Sequence, residues 1–251
     1  MTAAADQVML YKLLCRQIAH QQEMTASFLP KPVSGVNGSG MHTNLSISDE
    51  KRNLFYDAAG PDHLSAFGWD YVGRILQSAP ELCLILNSSV NAYRRLDPHF
   101  EAPNQIKASA IDRGSMVRIP LGNATSARIE VRSIAPDANP YLAIYALVRV
   151  GVEGSVPKDR RGKDGGKEGK EGKERHSQEE RLLFDNIYAA IEEFAGSAVI
   201  RDLIGAEVQG KFAQLKRDQA DRCPRQLGTL IKPAEVQFHH EITNQHLWNQ
   251  F

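Results

Sequence analysis

Two short alternating segments constrain the fold more than anything else in this chain. Ser115 to Ile119 reads as a strand stopped by Pro120, and Ala127 to Ser133 reads as a second one. Between them, Leu121-Gly122-Asn123-Ala124 has the residue types of a hairpin turn. Alternation sends Ile129 and Val131 to one side of the second strand and Arg128, Glu130 and Arg132 to the other, with neighbours on a face about 6.6 Å apart. The apolar side asks for a core behind the sheet. The polar side is either a solvated row of Arg–Glu pairs, worth about 0–1 kcal/mol each, or the wall of a site.

The other arginines bear on that choice. Arg94, Arg95, Arg113, Arg118, Arg128 and Arg132 all fall between positions 94 and 132, and Arg113 and Arg118 flank the first strand. Guanidinium groups about 7 Å apart in one cleft repel by roughly 2 kcal/mol per pair at an effective dielectric near 20. Such a cluster persists mainly where anions neutralise it. Planar donor forks suit polyphosphates and carboxylates, so the chemical reading is a site for a nucleoside triphosphate, a carboxylate substrate, or both.

A third segment, Asn37-Gly38-Ser39-Gly40-Met41-His42-Thr43-Asn44-Leu45-Ser46, joins a glycine turn to a strand expected over Met41 to Ser48. Glycines let backbone approach a ligand. Alternation groups His42, Asn44 and Ser46 on one face. A lone strand histidine is commonly a satisfied structural residue, but an imidazole and a carboxylate beside an anion-binding cluster suit Mg²⁺ or Mn²⁺. Glu101, in a loop near the arginines, reads either as a solvated side chain or as a group guarding the cleft. His239-His240-Glu241 is a weaker metal motif, because adjacent helical residues point about 100° apart.

The remaining chain supplies the body. Helices are expected over about 4–20 (with Leu10, Leu13, Leu14 and Ile18 on one face), 61–77, 80–86, from Pro140 to near Gly151, 178–195, 197–203, 206–221 and 233–246. Asn139 is a natural N-cap for the one opening at Pro140. Ala26–Leu29 reads as a short strand, residues 87–103 as an ordered loop, and Trp248 and Phe251 as side chains that tuck the terminus onto the body. Residues 154–180 form a stretch of glycine and balanced charge that is expected to be a flexible surface loop. Lysine plus arginine equals aspartate plus glutamate at 30 each, so no global field draws nucleic acid. No apolar run approaches the roughly 20 residues of a membrane span. Three separated cysteines, Cys15, Cys83 and Cys223, suit a reducing cytoplasm rather than a disulfide framework.

Taken together and in order, these segments resemble glutamine synthetase. Lys31-Pro32 with Asn37-Gly38-Ser39-Gly40-Met41-His42 is similar to the family's ATP- and metal-binding signature. Asn91-Ala92-Tyr93-Arg94-Arg95-Leu96 and Glu101-Ala102-Pro103 resemble its glutamate-binding segment and flap. Arg113 to Pro120 and Arg128-Ile129-Glu130-Val131-Arg132 resemble its phosphate and metal strands, and Asn139-Pro140-Tyr141-Leu142-Ala143 follows where expected.

The resemblance implies an α+β fold of the glutamine synthetase and guanido kinase catalytic-domain type: a curved antiparallel sheet backed by helices, spanning residues 1–251. It implies His42 and Glu130 as ligands of Mg²⁺ or Mn²⁺, and Asn37, Gly38, Arg95 and Arg132 as amino-acid-binding residues. Ser46, Arg118 and Arg128 would bind ATP, Arg113 would stabilise the phosphoryl group in transfer, and Glu101 would close over the intermediate and help deprotonate ammonium. Glutamate, ammonia and ATP would be the substrates, with no nucleic acid or membrane partner. The family also carries an N-terminal β-grasp domain and a strand with Glu-x-Glu and two further glutamates. None of these is in this sequence, and a homo-oligomer is expected where the N-terminal domain is supplied. Asn44 stands where many members have a second histidine, Thr125 where some have a lysine, and the loop at 154–180 lacks the regulatory tyrosine of some bacterial members. The alternatives are an inactive nucleotide-binding relative and a γ-glutamyl-polyamine ligase.

Overall fold

A computed structural model describes residues 1–33, 36–97, 102–155 and 181–227, with side chains described as far as residue 221. Glu101, most of the 154–180 stretch, the expected helix at 233–246, His239-His240-Glu241, Trp248 and Phe251 lie outside the described residues.

Eight α-helices and four strands are present among the described residues: α1 (Thr2–Gln21), β1 (Thr43–Leu45), α2 (Ala66–Gln77), α3 (Ala79–Leu86), α4 (Val90–Arg95), β2 (Gln105–Ser109), β3 (Ser115–Arg118), β4 (Ile129–Val131), α5 (Pro140–Glu153), α6 (Ile187–Gly196), α7 (Ala198–Ile204) and α8 (Ala206–Leu227). The sheet order is β1-β4-β3-β2, and helices back the sheet.

Side-chain caps decide where the helices begin. Asn139 accepts from the backbone N–H groups of Tyr141 and Leu142 at the start of α5, and Pro140 follows it, as the sequence leads one to expect. Ser65 caps α2 by accepting from the Gly68 N–H. That cap splits the helix expected over 61–77: Pro61–His63 makes only a 3₁₀ turn, Leu64 is extended, and α2 starts afresh at Ala66. Ser89 caps α4 in the same way, inside a stretch expected to be loop. Asn186 caps α6, nine residues later than the helix expected from 178, because Arg181 to Leu183 lies extended instead. There Ile106 N–H donates to the Arg181 carbonyl at 2.8 Å and Leu183 N–H to the Asn104 carbonyl at 2.8 Å. No strand forms at Ala26–Leu29.

The hairpin of β3 and β4 is antiparallel, with Val117 opposite Val131 and Arg118 opposite Glu130. Its turn is held by the Asn123 carboxamide, which accepts from the N–H groups of Thr125 and Ser126. The sheet is mixed rather than antiparallel throughout, because β2 pairs parallel to β3 with an irregular register between Gln105 and Ala108. A parallel neighbour usually needs a long crossover. Here only residues 110–114 return the chain, and side chains brace that return: Ser109 Oγ accepts from the N–H groups of Ile111 and Asp112, Asp112 accepts from Gly114 N–H, and Lys107 pairs with Asp112 at 2.7 Å.

Behind the sheet, Ile129, Val131 and Val117 are fully buried and belong to one apolar cluster with residues of α3, α5 and α6. Tyr71 of α2 is wholly enclosed and donates from its hydroxyl to the Leu147 carbonyl of α5 at 3.0 Å, so its polar end is satisfied and its ring adds to the core. Gly151 makes this contact possible, since a Cβ there would lie 2.1 Å from the Tyr71 ring.

The first helix is oriented opposite to expectation. Leu10, Leu13, Leu14 and Ile18 are each at least half exposed, whereas Ala5 and Lys12 are the buried members of α1. Helical spacing located the two faces correctly, but the lysine-bearing side packs on α5. No described helix is long and apolar enough to cross a membrane.

Candidate active site

The polar wall is built by strand register. Asn44 in β1 pairs with Glu130 in β4, and Glu130 in turn pairs with Arg118 in β3. These three residues therefore form one row across adjacent strands on the face away from the core. His42 lies just before β1, and Arg128 and Arg132 lie just outside the two ends of β4. Exposure alternates through residues 41–48, with His42, Asn44 and Ser46 on the more open side.

Glu130 is the centre of charge. Its carboxylate lies 2.9 Å from Nδ1 of His42, 3.3 Å from Nε of Arg118 and 3.7 Å from Nε of Arg132. It is nearly buried, whereas His42 and Arg118 keep roughly two-fifths of their side-chain surface. Desolvation is the first cause that lowers the His42 pKa, followed by the positive fields of Arg132 and Arg95; Glu130 pulls the other way without prevailing. The imidazole is therefore neutral at neutral pH. With Nδ1 donating to Glu130, Nε2 keeps its lone pair.

Arg132 extends the wall towards the β2–β3 return, where its Nη1 donates to the Arg113 carbonyl at 2.6 Å. Its buried Nε has no hydrogen-bond partner. Arg113 itself is exposed. Arg128 is held by Asn44, whose Oδ1 accepts from its Nε at 3.0 Å, and by the Ser126 carbonyl.

Arg95 is placed differently from the other arginines. It is 6% exposed, and it donates from Nη1 to the Ser133 carbonyl at 3.0 Å and from Nη2 to the Arg132 carbonyl at 2.8 Å. Burial first and Arg132 second lower its pKa to about 10, with Asp137 opposing them, so it stays charged. Much of its fork is thus spent on holding β4 and the turn after it.

The glycine segment is fitted around Arg95. A Cβ on Gly38 would lie 2.5 Å from the Pro30 carbonyl oxygen and 3.0 Å from Arg95 Cγ, and one on Gly40 would lie 2.4 Å from Arg95 Nη2. Ser39 N–H donates to Pro30 at 2.7 Å, and Lys31 Nζ donates to the Val36 carbonyl. Asn91 of α4 fixes Lys31 from both sides, accepting from its N–H at 2.7 Å and donating to its carbonyl at 3.1 Å. Lys31 and Asn91 both lie within the motifs that carry the family resemblance, which gives neither of them a role of its own.

His42, Glu130, Arg118, Arg128 and Arg132 are therefore brought together, with Asn44 added. Arg95 lies directly behind them and Arg113 at the rim; Asn37 is exposed in the glycine segment well before β1, and Ser46 is exposed just after it. Glu101 lies outside the described residues. No group of three or more His, Cys, Asp or Glu side chains among the described residues could hold a metal. The donor set present is one neutral imidazole and one carboxylate. Magnesium commonly takes one or two protein donors, with substrate phosphates and waters completing its octahedron. The residues fit such an ion when a triphosphate accompanies it.

A family model described as the glutamine synthetase catalytic domain matches residues 1–236. The chain belongs to the glutamine synthetase family. It is 37% identical over 219 residues to glutamine synthetase of Methanosarcina mazei, covering 86% of this chain and 49% of that protein. It is 33% identical over 219 residues to glutamine synthetase of Halobacterium salinarum, covering 86% of this chain and 48% of that one. Among solved structures, ligand-free GmaS aligns with a TM-score of 0.72 at 29% identity, over 92% of this chain and 52% of that one. The chain thus spans about half the length of the glutamine synthetases it matches. The catalytic-domain fold expected from the sequence is the one found, with its sheet mixed.

Proposed function

We propose that this chain carries part of the active site of an ATP-dependent ligase that joins ammonia to the γ-carboxylate of glutamate through γ-glutamyl phosphate. The observation that carries the reading is the register row Asn44–Glu130–Arg118 with His42 and Arg132 converging on the same carboxylate.

A carboxylate does not react with ammonia in neutral water. Phosphorylation converts its oxygen into a leaving group, and catalysis of that transfer is mostly positioning and charge stabilisation. In this reading His42 and Glu130 hold Mg²⁺ or Mn²⁺, which when bound neutralises phosphate charge. Arg118, Arg128 and Ser46 hold the ATP, and Arg113 at the rim meets the phosphoryl oxygens in flight. Arg132, with Arg95 behind it and Asn37 and Gly38 beside it, holds the amino acid. Glu101 closes over the intermediate and excludes water. The further carboxylates that the chemistry asks for come from the part of the relatives' length that this sequence does not span. That part also supplies the contacts of a homo-oligomer, and the assembled enzyme works in the cytoplasm.

GmaS among the structural neighbours, at 29% identity, leaves the amine open: the same phosphate chemistry serves ammonia or an alkylamine. Calorimetry of ATP binding to the chain, with and without Mg²⁺, tests the first step. The reading expects metal-dependent binding, and its absence refutes it. Amide formation from glutamate with ammonia, methylamine and a polyamine, with the part of the relatives' length that this sequence does not span supplied from one of them, then separates a ligase from a nucleotide-binding relative and identifies the amine.

A further inference from the structure

Pro30-Lys31-Pro32 is a tripeptide with a single backbone N–H, that of Lys31. A residue ahead of proline is driven to extended backbone, and prolines on both sides suit no place inside a sheet. Lys31 belongs to no strand and is 4% exposed, so its N–H and carbonyl need partners from the interior. Asn91 of α4 supplies both. Its Oδ1 accepts from the Lys31 N–H at 2.7 Å, and its Nδ2 donates to the Lys31 carbonyl at 3.1 Å. An amide side chain carries donor and acceptor side by side, so this buried carboxamide does for Lys31 what a neighbouring strand would do.

Pro30 and Lys31 in turn hold the glycine segment. The Pro30 carbonyl accepts from Ser39 N–H at 2.7 Å, and Lys31 Nζ donates to the Val36 carbonyl. Asn37 and Gly38 stand between those two ties, and Gly38 has no room for a Cβ against the Pro30 carbonyl and Arg95.

Arg95 lies four residues after Asn91, on the same face of α4. It grips the carbonyls of Arg132 and Ser133, at the start of a turn that is itself fixed. Arg132 N–H donates to the Met116 carbonyl of β3 at 2.8 Å, Ala135 N–H to the Leu86 carbonyl of α3 at 2.9 Å, and Met41 N–H to the Ile134 carbonyl at 2.9 Å. Two side chains one helical turn apart thus hold two parts of the site: Asn91 the glycine segment, Arg95 the wall.

We propose that Asn91 is a positioning residue for the amino-acid substrate: by pairing with both backbone groups of Lys31 it sets where Asn37 and Gly38 stand relative to Arg132. This deepens the proposed function and rests on its reading of those residues as the amino-acid site. Arg118 and Arg128, assigned to ATP, are held by strand register and by Asn44 instead, so Asn91 acts on one substrate and leaves the other.

The test uses the full chain and three quantities: L-glutamate affinity in the presence of Mg²⁺ and a non-hydrolysable ATP analogue, affinity for the analogue itself, and amide hydrogen exchange at Lys31 and Ser39. Asn91→Leu removes both bonds at similar volume; Asn91→Asp, as a carboxylate, keeps the acceptor and loses the donor. Each is expected to speed exchange at both amides and to weaken glutamate about tenfold while leaving the analogue unchanged. Gly151→Ala, strained in the core and away from the wall, keeps both affinities. Unchanged glutamate affinity in a folded Asn91 variant overturns the assignment. So does a parallel loss of the analogue, or the same selective loss in Gly151→Ala, since general loosening then explains it. Should neither Asn91 variant fold, Ser39→Pro decides, because it removes the N–H tied to Pro30 at an exposed position: selective loss of glutamate supports the assignment, and parent affinity overturns it. A parent that binds the analogue but no glutamate refutes the amino-acid site, which is a failure of the proposed function; exchange at Lys31 and Ser39 then decides whether Asn91 seats the segment.

Discussion

Arg118 and Glu130 are register partners across β3 and β4, and Nε of the first stands 3.3 Å from Oε2 of the second. Every other charged group of the wall is placed relative to that carboxylate. Glu130→Ala therefore removes the protein's one carboxylate donor among the described wall residues and leaves Arg118, Arg132 and His42 facing each other. Mg²⁺-dependent ATP binding should be abolished while metal-independent binding persists or rises, since phosphate then meets unopposed guanidinium groups. Calorimetry with and without Mg²⁺ reads both components; unchanged Mg²⁺ dependence removes Glu130 from the metal site.

Gly40 has a role that no local motif explains. A methyl group there lands 2.4 Å from Arg95 Nη2, so Gly40→Ala pushes the guanidinium off the Arg132 and Ser133 carbonyls. Leaving buried polar groups unpaired costs about 1–3 kcal/mol each. The expected outcome is a lower melting temperature together with weaker glutamate binding, whereas Ala at the exposed Asn37 should affect binding alone. A Gly40→Ala protein of parent stability would show that Arg95 yields without loss.

The pH dependence of stability has an unusual component. Burial raises Asp137 from 3.8 to about 6, against the opposing pull of Ser89 and the lysines. The folded chain thus holds this proton more tightly than the unfolded chain does. The associated stability is fully present below pH 4 and disappears as pH rises through 6. At about 1.36 kcal/mol per unit the shift corresponds to about 3 kcal/mol. Asp49 and Asp112 shift the other way, held low by backbone N–H groups in the first case and chiefly by Lys107 in the second, and they lose their contribution only below pH 4. Urea unfolding at intervals from pH 4 to 7 should show the difference in stability, parent minus Asp137→Asn, falling over that range. Parallel curves would mean that the carboxylate is not desolvated in the folded chain.

Gly151→Ala tests the core rather than the site. Its new methyl meets the Tyr71 ring at 2.1 Å, within a ring cluster that includes Phe55 at 5.1 Å between centroids. Overpacking of this kind costs about 1–3 kcal/mol, which a shift in denaturation midpoint at constant slope would register.

The sequence was most legible where one physical signal acted alone. The alternation of Ala127–Ser133 led to the correct face for Glu130, though its partnership with Arg118 rests on the strand register, and Asn139-Pro140 marked the start of α5 to the residue. It was illegible where tertiary contacts overruled local pattern. The leucine stripe of α1 suggested a core-facing side, yet Lys12 is buried, donating to the Pro136 carbonyl. The helix from 178 reads well by composition, yet Arg181 to Leu183 pairs with residues 104–106 instead. The parallel partner of β3 carried no short-range signature, since its five-residue return depends on Ser109 and Asp112 side chains. Arg95 was legible as a site residue by its motif, but not as a backbone brace.

The turn at 132–138 borrows its hydrogen bonds from β3, α3 and the backbone just before β1. The wall consequently lacks a hinge. It cannot breathe without prying open the hydrocarbon interior to which it is stitched, so its amides should exchange as slowly as those of α3. Whatever must yield to admit a ligand lies at the margins, in the 110–114 return and the 121–126 turn, where Ser109, Asp112 and Asn123 side chains brace short turns.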